Sequence, residues 1–338
     1  MRTHGRYVIG GLVGAVVLLG AVAGTAWASP APPGSPPWAP GPGGPDVVHT
    51  MTGKGKPTGG GGTSPLLSYR GGAVQTAPAA YLVFWGSQWT NNDRMGEAAY
   101  LQGFLSGLSS SGGGGDTWST STTQYCQGVA TGSTNCNAAS TANRITHPTT
   151  SPLIGVLSDT AVVAPTRPKQ SQIAAEAVRA AGIFQAQNPT VFNPRAQFVI
   201  ATAHNNNATG FGSSYCAWHS STSSSFGNLA YTNLPYIPDA GASCGANFVN
   251  ANGPLDGVSI VEGHEYAETI TDPFPSSGWL DANGAENGDK CAWIRSGQGA
   301  AANVSVVGAA FPVQSLWSNN FNGTGGCVIR YTSATNQG

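Results

Sequence analysis

Two hydrophobic periods take turns along this chain. Tyr81-Leu82-Val83-Phe84-Trp85 is a continuous apolar run with aromatic and β-branched content, which predicts a buried strand. Leu153-Ile154-Gly155-Val156-Leu157 and Gln197-Phe198-Val199-Ile200-Ala201 predict a second and a third. Between them the spacing changes to that of helices. Ala98, Leu101, Phe104, Leu105 and Leu108 recur at helical intervals over 93–108, and Ile173, Ala177, Ala180, Ala181 and Phe184 do so over 169–187. A further helix is predicted over 257–271. Asp256 is placed to cap it, and Asp272-Pro273 ends it because proline disfavours helix at the residue before it. Residues 112–143 and 213–254 are rich in small polar residues and predict loops, while 304–317 has strand character. Strands and helices alternate early and loops dominate late. The pattern predicts a single α/β domain with a mixed β-sheet, with α+β as the variant.

Composition then divides the chain. Arg2 and Arg6, an apolar stretch from Tyr7 to Ala23 and the small-x-small triplet Ala26-Trp27-Ala28 make 1–28 a signal peptide cut after Ala28, an uncleaved anchor being the alternative. Residues 29–64 are rich in Pro and Gly and read as a flexible spacer. Residues 65–338 remain as the folded domain. No stable membrane span is expected after cleavage. The net charge of −1 gives no basis for nucleic-acid binding. Six cysteines in an exported chain predict three disulfides, joined most simply between neighbours: Cys126–Cys136, Cys216–Cys244 and Cys291–Cys327.

The charge is unevenly placed. Of fifteen acidic residues, eight fall between Asp256 and Asp289, with no Lys or Arg among them. Carboxylates crowded this way repel unless a cation, a proton or water intervenes. The window holds His264-Glu265-Tyr266-Ala267-Glu268, which has the spacing of the zinc-peptidase signature H-E-x-x-H with Glu as the second ligand. On a helix, His264 and Glu268 face the same way and can grip one Zn2+, and Glu265 can act as general base on a metal-bound water. A third ligand is needed. Glu286 is the first choice and Asp289 the second, with Asp281 behind them. His219, beside Cys216, is a further candidate as ligand or oxyanion stabiliser, and His204 a lesser one. The rival metal is Ca2+, for which Asp281, Asn283, Glu286 and Asp289 offer an oxygen-rich loop that lacks the EF-hand pattern. The function expected is a secreted zinc-dependent, peptidase-like hydrolase, or else a non-catalytic extracellular protein with a structural ion. A carbohydrate-binding role would need Trp85, Trp89, Trp218 and Trp279 exposed.

Several blocks together resemble the exordium (phosphate-induced protein) family and its secreted bacterial relatives. They are Tyr69-Arg70-Gly71-Gly72, Tyr81 to Gly86, Cys216-Ala217-Trp218-His219, Leu234-Pro235-Tyr236, His264 to Glu268 with Thr271-Asp272-Pro273, and Glu286-Asn287-Gly288-Asp289-Lys290-Cys291. The likeness spans about residues 66–331. It implies an extracellular or cell-wall location, with an extracellular protein or a wall component as partner, and brings no settled enzyme activity. The insert at 109–143 and the Pro/Gly spacer depart from the plant members.

Overall fold

A computed structural model describes residues 46–49, 51, 65–111, 115–306 and 308–331. The signal-peptide segment lies outside these residues, as does the spacer apart from 46–49 and 51. In chain order the elements begin with β1 (Asp46–His49), β2 (Ser68–Tyr69), β3 (Ala80–Trp85), α1 (Glu97–Gly107), β4 (Leu153–Asp159), α2 (Gln170–Gln187) and β5 (Gln197–Thr202). They continue with β6 (Tyr215–Ser224), β7 (Gly227–Leu234), α3 (Asp256–Thr271), β8 (Trp279–Leu280), β9 (Ala302–Val306), β10 (Ala309–Val313), β11 (Leu316–Ser318) and β12 (Gly326–Val328).

The main sheet runs β1-β6-β7-β5-β3-β4. The strands from β4 to β7 are parallel, and β6 and β1 close one side antiparallel. Both faces are covered, as parallel strands require. Tyr81, Val83, Phe198 and Ile200 pack on one face against Ile173, Ala177, Ala180 and Phe184 of α2. Leu82, Phe84, Val199 and Ala201 pack on the other against the layer that holds α1 and α3. This is an α/β domain with a mixed sheet. All three disulfides join the expected neighbours. Among the described residues no helix is long and apolar enough to cross a membrane.

Three expectations need correction. The stretch 213–254 is not mainly loop, because it holds the hairpin β6–β7, and β7 is an interior strand of the sheet. Its two-residue turn, Ser225-Phe226, lacks the Asn-Gly or Asp-Gly signal that usually marks a hairpin. The spacer is not structureless throughout, since Asp46–His49 adds to the edge of β6 with Asp46 opposite His219. Asp256 does not cap its own helix. Its carboxylate accepts from the Val249 and Asn250 backbone amides at 2.8 and 2.6 Å and so braces the preceding loop instead.

The helix that carries the acidic motif is the most enclosed element. Every residue of α3 is buried. Val258, Ile260, Val261 and Ile270 anchor it, at about 1.5–3 kcal/mol for each fully buried side chain. Gly263 weakens helix by about 1 kcal/mol relative to Ala. A Cβ there, however, would stand 2.9 Å from Trp118 of the 109–143 insert and 3.2 Å from Phe104 of α1. The insert is therefore more than a polar loop, since Trp118 and Tyr125 are core residues and Trp118 packs on α3 at Gly263. The helix stops at Asp272, whose backbone (φ −148°, ψ 70°) lies outside the helical region, as suits the residue before a proline.

Candidate metal centre

Helical geometry decides which motif residues meet. At about 100° per residue, Glu268 stands about 40° from His264 and about 60° from Glu265 around the helix axis. Its carboxylate therefore lies between the other two side chains. Oε1 of Glu268 is 2.8 Å from His264 Nε2, and Oε2 is 3.7 Å from His219 Nδ1.

The protonation of His264 follows from its other neighbour. Gln314, just after β10, donates through Nε2 to the carbonyls of Gly288 (2.7 Å) and Ser315 (3.3 Å). That leaves Gln314 Oε1, an acceptor, facing His264 Nδ1 at 3.1 Å. Nδ1 therefore carries the proton, and Nε2 presents a lone pair. This lone pair points among further acceptors: Glu268 Oε1 at 2.8 Å and Asp289 Oδ1 at 3.7 Å. Neither contact has hydrogen-bond geometry at Nε2. Three lone-pair donors around one point, with the imidazole oriented from behind by an amide oxygen, is the arrangement of a metal-binding histidine.

The segment after β8 can approach this closely because of one glycine. A Cβ on Gly288 would stand 2.9 Å from both His264 Cγ and Glu268 Oε1. With glycine there, the Asp289 amide donates to Glu268 Oε1 at 2.9 Å and fixes that carboxylate. The Cys291–Cys327 disulfide then ties the segment down.

On the other side of Glu268 stands His219, from β6. Its Nδ1 lies 3.1 Å from Glu265 Oε2, and its Nε2 lies 3.2 Å from the Asp272 carbonyl and 3.8 Å from Glu286 Oε2. Burial pushes the Asp272 carboxyl up from its ordinary range, against the opposing pull of Glu286, His219 and the Gly278 amide. Further round α3, burial and then the Glu265 carboxylate hold Glu262 well above the usual carboxylate range. Neither Glu262 oxygen has a hydrogen-bond partner among the described residues.

The sequence-based candidates therefore sort into two groups. His264, Glu268 and Asp289 come together, as do His219, Glu265 and Glu268. Glu286, ranked first as third ligand, goes to His219 rather than to His264, and Asp289 takes the place beside the motif. Asp281 is committed elsewhere. Its Oδ2 takes Lys290 Nζ at 2.8 Å, and its Oδ1 accepts the Asn283 and Ala285 amides. The loop proposed for calcium thus sends its carboxylates three separate ways. His204 pairs with Asp239, away from α3. Trp85, Trp89, Trp218 and Trp279 are all buried, so they form no exposed stacking platform. Gln314, Gly288 and the Asp272 carbonyl were not foreseen. Only Gln314 leaves a sequence trace, as a lone amide within an apolar run from Phe311 to Trp317.

No family model, no curated protein and no solved structure matches this chain.

The centre is closed. His219, His264, Glu265, Glu268 and Glu286 are fully buried, and only the Asp289 side chain, at 15% exposure, reaches solvent. Ionised carboxylates taken out of water cost several kcal/mol each unless paired. A divalent cation would neutralise two of them and give the lone pair on His264 Nε2 its partner.

Proposed function

We propose that this chain is an exported protein built around a buried divalent-cation centre, with Zn2+ as the preferred ion and His264, Glu268 and Asp289 as its ligands. The observation that carries the reading is the orientation of His264: its Nδ1 proton is held by Gln314, and its Nε2 lone pair faces two carboxylates. An imidazole ligand favours zinc over calcium, which prefers oxygen. Three disulfides are compatible with an extracellular protein. The exordium likeness belongs to the same reading and makes an extracellular protein or a cell-wall component the partner. In this role the ion holds α3, β10 and the Gly288 segment together.

A second reading, a zinc-dependent peptidase-like hydrolase, is favoured by the order His264-Glu265-x-x-Glu268 and by the exposed edge of Asp289. It requires a peptide to reach the ion past Asp289. It also requires Glu265 to turn from His219 toward a metal-bound water. The enclosure of the centre weighs against it, so the structural role leads.

The deciding experiment is elemental mass spectrometry of the secreted protein beside His264→Ala, followed by a peptide-library screen. Bound zinc that falls in the variant, with no hydrolysis, supports the structural role. Hydrolysis by the parent that is lost in Glu265→Gln moves the centre to the peptidase reading. Absence of any metal removes both.

A further inference from the structure

We infer that the centre holds a second divalent cation, bound by His219, Glu265 and Glu268, with the Glu268 carboxylate bridging the two ions. The inference extends the one-ion reading above and takes His264, Glu268 and Asp289 as the first site. It rests on His219, which none of that reading uses. The Asp272 carbonyl can only accept, so the 3.2 Å contact puts a proton on His219 Nε2. In the neutral ring Nδ1 is then a lone pair, and it faces Glu265 Oε2 at 3.1 Å and Glu268 Oε2 at 3.7 Å. The arrangement resembles that of His264, with a backbone carbonyl in place of the Gln314 amide as the orienting acceptor, and differs in that the contact with Glu265 has hydrogen-bond geometry.

Glu268 connects the two. Its Oε1 faces His264 and its Oε2 faces His219, so each oxygen serves one imidazole. A carboxylate shared in this way spans paired ions about 3.5–4 Å apart. The competing arrangement is a doubly protonated His219 that hydrogen-bonds to both Glu265 and the Asp272 carbonyl. It needs no second ion.

Metal stoichiometry separates the two. The secreted protein is stripped with a chelator, refilled with Zn2+ alone and desalted. Two equivalents are expected in the parent, one in His219→Ala, and one or fewer in His264→Ala. One equivalent in the parent, unchanged in His219→Ala, overturns the second ion and leaves the first standing. No zinc in the parent overturns both. Should His219→Ala not fold, Mn2+ loaded into the parent gives a second readout. An exchange-coupled spin-resonance spectrum supports the bridged pair, and an isolated six-line signal at saturation overturns it.

Discussion

Gln314 sets the tautomer of His264. The Gln314 oxygen is 3.1 Å from His264 Nδ1, and its nitrogen is committed to the Gly288 carbonyl at 2.7 Å. One uncharged side chain thus orients the imidazole and ties it to the segment that carries Asp289. Gln314→Leu keeps the bulk but removes the acceptor behind the ring. Loss of such an outer partner typically lowers metal affinity about 10–100-fold. The expected result is that zinc affinity, measured by chelator competition, falls by that factor while near-ultraviolet circular dichroism stays native. Unchanged affinity would mean that the ring is held by its packing alone.

Gly288 is required for closeness, because its backbone φ is not in the left-handed region. Gly288→Ala drives a methyl group into His264 and Glu268. Overpacking of this kind costs about 1–3 kcal/mol. The loss should be larger in the zinc-loaded protein than after stripping, since the methyl group displaces two of the proposed ligands at once. Thermal unfolding of the parent and the variant, each with and without zinc, checks this. Equal losses in both states would place the clash outside the centre.

These two residues show where sequence reasoning ran out. The three helices, three strands of the main sheet, the strand character over 304–317 and the disulfide pairing were legible because they rest on local periodicity and on neighbouring cysteines. His264, Glu265 and Glu268 were legible because a helix fixes how residues four apart face. That Asp289 rather than Glu286 stands beside His264 was not. It depends on the short turn Asp289–Cys291 and on Gly288, and both candidates sit at plausible sequence distance. Gln314 and the Asp272 carbonyl were invisible for a different reason, since neither bears charge. The hairpin β6–β7 was missed because the Ser- and Thr-rich second half of β6 and the Gly-Asn start of β7 read as loop by composition, although β7 lies between two other strands.

The Cys216–Cys244 bridge anchors the start of β6, three residues before His219, to the turn that precedes α3. Its residues are 28 apart in sequence. Opening a loop of that size costs about 3–4 kcal/mol in the chain-entropy account. The double change Cys216→Ser with Cys244→Ser should lower stability by that amount in urea unfolding. A change below about 1 kcal/mol would show that the hairpin holds His219 without the bridge.

Stability should also depend on pH through Glu176 of α2. Burial pushes its carboxyl from 4.5 up to about 7, and Arg179 lies 3.1 Å away on the next turn. Because the folded-state value is the higher one, this contribution is fully present below pH 4.5 and is lost as pH rises through about 7. After allowance for solvent screening and for Arg179, the loss amounts to about 1–2 kcal/mol. Glu176→Gln should flatten the slope of stability against pH over that interval. If the parent and the variant keep the same slope, Arg179 already holds Glu176 ionised throughout.

The two acidic candidates for third ligand can be separated directly. Asp289 lies 3.7 Å from His264 Nε2, whereas Glu286 lies 3.8 Å from His219 Nε2, on the far side of Glu268. Asp289→Asn keeps the backbone amide that holds Glu268 Oε1, so Glu268 stays in place and only the carboxylate charge is lost. Asp289 is also the one residue of the proposed set that meets solvent, so its loss should speed the exit of the ion as well as weaken its binding. Asp289→Asn is therefore expected to lose zinc to a chelator at least about tenfold faster than the parent, in the range set by weakened coordination. Glu286→Gln should leave the rate at the His264 site within about twofold, because the contact Glu286 makes with Asp289 is through its backbone amide, which donates to Asp289 Oδ2 at 3.3 Å and survives the change. The reverse order, fast loss in Glu286→Gln and a parent-like rate in Asp289→Asn, would return the third ligand to Glu286. It would also mean that the segment from Glu286 to Cys291 shifts when the ion binds.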